Sequence, residues 1–130
     1  MKILGDYFSQ HDAALLVRNQ RLEVISENIA NVSTPGYRSK DIDFATAMRG
    51  ANESLRLQAT SRDHISSDVP ELNLSDALVY RIPLNPSLDS NTVEIGVEQA
   101  KFGRAAMEYQ ASLQFFENKV SGLRKALRGE

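Results

Sequence analysis

The chain has 130 residues, 42% of them hydrophobic and 25% charged, with 15 basic and 17 acidic side chains and a net charge of −2. That suits one modest domain of ordinary soluble composition and argues against a nucleic-acid binder, which carries a clear basic excess. Cysteine is absent, so disulfides, thiolate metal sites and cysteine nucleophiles are excluded.

Charge is unevenly spread. Residues 1–40 carry five basic and four acidic side chains, residues 41–97 four and nine, and residues 98–130 six and four. The acidic middle reads as a solvated surface with no specific cation ligand. No apolar run approaches the roughly 20 residues of a membrane span. The opening MKILGDYFSQHDAALL has neither the sustained apolar stretch nor the small-residue cleavage site of a secretory leader.

Along the chain, the first element is helical. Leu4, Phe8, His11, Leu15, Arg18, Leu22, Ile25, Ile29 and Val32 recur at alternating steps of four and three, a heptad seam interrupted by His11 and Arg18. Ser9 followed by Asp12 predicts a capped start, with regular helix from Gln10 to Val32.

The helix is then stopped by ANVSTPGYRSKDIDF, residues 30–44. Proline pushes Thr34 into an extended conformation. Pro35 and Gly36 fit the central positions of a type II turn, where glycine accepts a positive φ. Asn31, Ser33 and Thr34 can hydrogen-bond the helix end, and Tyr37 can pin the outgoing chain. This stretch reads as a hinge that needs no catalysis. Asp41 and Asp43 share a face of an extended chain, but no pocket is evident to separate their pKa values. They read as solvated or ion-paired carboxylates, with Arg38 or Lys40 as the expected partners. Together with Phe44 they are candidate subunit contacts.

Residues 45–90 are read as loops with room for one hairpin. Leu55, Leu57 and Ala59 alternate weakly, as in a short strand, and Pro83 and Pro86 forbid regular helix in VYRIPLNPSLDSN. Asp63-His64 is adjacent rather than convergent, and neither His11 nor His64 has a metal-ligand partner at useful spacing.

The second heptad seam runs Ile95, Gln99, Phe102, Ala106, Tyr109, Leu113, Phe116, Val120, Leu123 and Leu127. Asn91-Thr92-Val93-Glu94 predicts an N-cap and Gly129 a stop. Gly103, Ala105 and Ala106 form a small-residue patch suited to close helix approach. The expected fold is therefore mainly α: two long terminal helices pairing as an antiparallel coiled coil, with an irregular middle. A single domain of residues 1–130 divides into a helical arm (1–32), a turn, extended and loop region (33–90) and a second helical arm (91–129). The assembly seam comprises Leu15, Leu22, Ile25, Ile29, Val32, Phe102, Tyr109, Leu113, Phe116, Val120, Leu123 and Leu127. The turn motif comprises Asn31, Thr34, Pro35, Gly36 and Tyr37. Two such helices bury little in each other, so neighbouring molecules are expected to cover the remainder. No nucleophile elbow or phosphate-binding glycine loop occurs, and neither an enzyme nor a cofactor is expected.

NIANVSTPGY (residues 28–37) resembles the N-terminal signature of bacterial flagellar axial proteins, the rod and hook components. YRIPLNPSLDSNTVEI (80–95) and EQAKFGRAAMEYQASLQFFENKVSGLRKALRG (98–129) are similar to the short proximal rod members. Ser90 stands where that family more often has Gly, and Glu94 where it often has Asp. The resemblance implies a structural subunit that assembles helically, transmits torque and lines an export channel. It implies as partners other copies of the chain, other rod proteins, the rod-base adaptor FliE, the MS ring and the flagellar type III export apparatus, with no small-molecule substrate. It implies a place in the periplasmic rod, reached without a cleaved signal. The alternatives are the other short rod protein and a free coiled-coil adaptor or secretion chaperone.

Overall fold

The computed structural model describes residues 2–57 and 74–129. Helix α1 spans Lys2–Ala30, strand β1 Lys40–Ile42, helix α2 Phe44–Leu57, strand β2 Leu78–Tyr80 and helix α3 Ile95–Arg128. A single 3-10 turn at Ser75–Ala77 leads into β2. At 1.5 Å per residue α1 is about 44 Å long and α3 about 51 Å.

The two long helices run antiparallel. Phe8 meets Phe116, Arg21 meets Glu108, and Asn28 meets Glu98, so rising numbers on α1 face falling numbers on α3. The expected mainly α architecture with paired terminal helices is therefore present, and the middle holds a small antiparallel sheet. Its strands pair Lys40 with Tyr80, Asp41 with Val79 and Ile42 with Leu78.

Several boundaries depart from the sequence expectations. Helix α1 begins at Lys2, so Ser9 to Asp12 lie inside it rather than at a cap. The seam pattern already continues back through Phe8 and Leu4, and one interior glycine, Gly5, costs only about 1 kcal/mol. The helix ends at Ala30, two residues short of Val32. Helix α3 begins at Ile95 with Glu94 at the N-cap, and it closes as expected on Gly129 at φ 75°, whose N–H donates to the Lys125 carbonyl.

The reading of residues 45–90 as loops is corrected by α2. Leu55 and Leu57 are helical rather than alternating in a strand; Ala59, Asp63 and His64 lie outside the described residues. FATAMRGANESLRL places Ala47, Met48 and Ala51 three and four apart, which gives one inward face at helical spacing. Ala47 and Ala51 are buried. Asp43 caps this helix: its carboxylate accepts the Ala45 N–H at 3.2 Å and the Thr46 hydroxyl at 2.5 Å.

The hydrophobic core is small and lies where α1, α2 and the sheet meet. Val17, Ile42, Ala47 and Ala77 are buried there, with Val24, Phe44, Met48, Leu74 and Leu78 packed around them. The Arg18 guanidinium lies 4.5 Å above the Phe44 ring, so this seam interruption covers the core with a cation–π contact.

Candidate functional site

The chain reversal after α1 is built as its residues dictate. The Tyr37 N–H donates to the Thr34 carbonyl at 3.3 Å across Pro35 and Gly36, and Gly36 has φ 73°. This is the expected type II turn. Asn31 folds back on the helix, its Nδ2 donating to the Glu27 carbonyl at 2.8 Å, and its Oδ1 accepts the Thr34 hydroxyl at 3.1 Å.

The turn is riveted to the segment before α3 rather than left as a free hinge. Asn91, buried, sends its Nδ2 to the carbonyls of Asn31, Val32 and Thr34 at 3.0, 2.8 and 2.9 Å. Its Oδ1 accepts the Val93 N–H at 2.8 Å. Rather than capping α3, Asn91 ties down the carbonyls of the turn that follows α1. Gly36 donates its N–H to the Asp89 carbonyl, and Thr92 donates its N–H to the Tyr37 carbonyl. Ser39 is completely buried, its N–H and hydroxyl both bonded to Thr92.

Below the turn lies a polar hub that no apolar periodicity could reveal. The Asn28 amide is fully satisfied. Its Nδ2 donates to the Lys40 carbonyl at 2.7 Å and to Glu98 Oε2 at 3.1 Å. Its Oδ1 accepts the Lys40 N–H at 3.0 Å and the Tyr37 hydroxyl at 3.3 Å. The side chain thus pairs with the β1 backbone as another strand would, covering the strand edge turned away from β2.

Charges continue from there in strict alternation. Glu98 accepts from Arg81, and Arg81 Nη2 donates to Asp41 at 2.7 Å. Asp41 is gripped from its other side by Arg21 Nε at 2.9 Å and Nη2 at 3.3 Å. Arg21 reaches Glu108 at 3.4 Å, and Glu108 accepts from Arg104 at 3.1 Å. Three cations and three anions therefore join α1, β1, the residue after β2 and α3. The partners of Asp41 are Arg21 and Arg81, not Arg38 or Lys40. Arg38 lies over the Tyr80 ring and Lys40 pairs with Glu27. Burial alone would raise the Asp41 pKa; the hydrogen bonds from Arg21, the Ile42 amide and Arg81 outweigh it and hold the carboxyl below its usual range. Burial and the nearby Glu27 carboxylate push the Tyr37 phenol up.

The seam residues fare differently along α3. Ile25 is completely buried, and Leu15, Leu22 and Ile29 on α1 are half-buried, whereas Val32 is exposed in the turn. On α3, Tyr109, Phe116, Val120 and Leu123 are half-buried, with Phe116 edge-on to Phe8 at 5.9 Å. Phe102, Leu113 and Leu127 are exposed, as is Ile95. The buried α3 residues are Glu98 and Ala105, each one position before the seam residues Gln99 and Ala106. One residue is a rotation of about 100°, so the first half of α3 turns its polar stripe, not its apolar one, toward α1. A heptad on a straight helix drifts about 20° per repeat, which carries the seam toward α1 farther along. Ala105 provides the close approach expected of the small-residue patch, while Gly103 faces solvent.

Phe44 turns its ring to the chain's own core, and Asp41 and Asp43 have the intrachain bonds described above. The residues that sequence periodicity missed are Asn28, Ser39, Arg81, Asn91 and Glu98. The available signal was polar: Arg21 and Asn28 are seven apart, which is heptad spacing in hydrophilic residues. Among the described residues no group of three or more His, Asp or Glu could hold a metal ion, and no described helix is long and apolar enough to cross a membrane.

Comparison with known proteins gives this architecture a family. The sequence model of the flagella basal body rod proteins matches residues 13–38, the second half of α1 through the turn. The flagellar basal body rod protein FlgB of Aeromonas hydrophila is 44% identical over 128 residues, covering 95% of this chain and 93% of that one. The FlgB of Cereibacter sphaeroides is 39% identical over 125 residues, covering 96% of each, and that of Salmonella typhimurium 38% over 123, covering 89% and 88%. With identities of this size along nearly its whole length, the chain belongs to the FlgB family of flagellar basal body rod proteins.

Proposed function

We propose that this chain is a structural subunit of the proximal rod of the bacterial flagellum. Copies assemble helically through their terminal helices, carry torque and line the channel through which later components are exported. The observation that carries this reading is the apolar stripe along α3 that α1 leaves exposed, where Ile95, Phe102 and Leu113 lie on a helix fixed by the ion network beneath. Such a stripe on a soluble protein calls for a partner, and a contact that does not close on itself generates a helical assembly. Its neighbours are further copies, other rod proteins, the adaptor FliE and the MS ring; it reaches the periplasmic rod through the flagellar export apparatus. The chain acts by contact, with no chemistry of its own.

The test is deletion of the gene and complementation with a tagged copy, followed by purification of basal bodies. The chain co-purifies with them, and cells lacking it are non-motile with no rod. A chain that stays in the cytosol as a soluble dimer while rods assemble without it would identify an adaptor or chaperone instead.

A further inference from the structure

Between the segment that follows β2 and the first turns of α3 lies a groove of about 320 Å³, walled by Ile82, Pro83, Leu84 and Val97 with Lys101 beside them. Ile82 is 94% exposed and Leu84 82%, so two aliphatic side chains stand in water at its rim. The neighbouring charges are already engaged. Arg81 holds Asp41 and Glu98, and Glu94 accepts the N–H groups of Leu84 and Asn85. Lys101 differs: among the described residues no carboxylate or carbonyl bonds to its ammonium. Partial burial and the nearby Arg81 guanidinium hold its pKa below the usual lysine range, and the charge of an arriving anion would act against both.

The same chain carries a complementary feature. Leu88 is fully exposed at the tip of the loop between β2 and α3, and Asp89 follows it at the surface. The tip is rigid. The Asp89 carboxylate accepts the Ser87 hydroxyl and the Asn91 N–H, its carbonyl holds Gly36, and Ser90 has φ 60°. A preordered apolar tip loses little entropy on docking.

Given assembly into a rod, on which this depends, we propose that the Leu88–Asp89 tip of one copy docks in the groove of the next. Leu88 packs on Ile82, Leu84 and Val97, and the Asp89 carboxylate meets Lys101. Tip and groove are different surfaces, so a copy that docks its tip in one neighbour can receive the tip of another, and the contact can propagate along an assembly.

Because the chain has no cysteine, introduced thiols report cleanly. Leu88→Cys and Lys101→Cys are co-expressed as separate chains in cells lacking the native gene, and purified basal bodies are oxidised and run on a non-reducing gel. Docking predicts a disulfide-linked dimer only when both variants are present. Basal bodies that contain both variants without the dimer overturn the docking but leave the rod reading intact, and a disulfide to a protein of different mass assigns the groove another occupant. Should a cysteine variant stay out of the rod, Lys101→Met in competition with wild type decides. Incorporation falling roughly fivefold, as for loss of a partly desolvated ion pair, supports the docking, and equal incorporation overturns it. Absence of the wild-type chain from basal bodies sinks the rod reading itself.

Discussion

Asn28 joins three parts of the fold through one amide: α1 carries it, the β1 backbone pairs with it, and Glu98 of α3 accepts from it. Replacing it with alanine strands the Lys40 N–H and carbonyl, so Asn28→Ala should destabilise by about 3 kcal/mol, read as a lowered melting temperature by circular dichroism. Ser90 points the other way. It sits at φ 60°, a conformation that disfavours a side chain by roughly 1 kcal/mol. Ser90→Gly should therefore raise stability by about 0.5 kcal/mol, the relief being partly offset by a freer unfolded chain; a lower melting temperature would contradict it. Asp41 sets an acid limit. Its folded pKa lies below the unfolded value of about 3.9, so its contribution is present above that value and is lost as pH falls through the folded one. Asp41→Asn should flatten the decline of stability below about pH 4, measured as melting temperature against pH. The role of Asn28 and the true partners of Asp41 were not legible in the sequence. Those partners lie 12 to 70 positions away, and polar long-range pairs leave no local period.

Among the elements, α3 shows what periodicity can and cannot tell. The 4, 3 repeat gave its existence and the half-buried Tyr109, Phe116, Val120 and Leu123, and Gly129 gave its C-terminal stop. It could not tell which side of the stripe α1 would occupy, because Arg21 and Asn28 draw Glu98 and Glu108 inward. That distinction separates two substitutions. Leu113 is exposed, so Leu113→Asp should cost the isolated chain under about 1 kcal/mol, mostly helix propensity, yet abolish rod assembly and swimming. Phe116→Asp should also lower the melting temperature, by the equivalent of about 2 kcal/mol, since it loses the Phe8 contact. Normal motility in the Leu113→Asp strain would contradict an intermolecular role for the seam. The turn was the most legible element of all, because Pro35 and Gly36 act through their own φ restrictions, whereas α2 was missed because its inward face is mostly alanine.

In the whole molecule, a small apolar core and an alternating ion network divide the work of holding the fold. The network links α1, β1, the residue after β2 and α3, so the two long helices are tied by charge as well as by apolar contact. The seam's first half stays available to neighbours. The sequence pointed to paired terminal helices and an assembly role, while the corner clasp at Asn91 and the polar hub emerged only once the chain was folded. The most direct test is a cryo-EM map of the isolated basal body at side-chain resolution. It should place this chain in the rod with Ile95, Phe102 and Leu113 buried against neighbouring subunits and the Arg21–Asp41–Arg81–Glu98 chain intact. A rod that lacks the chain, or one that leaves those three side chains in water, would contradict the account.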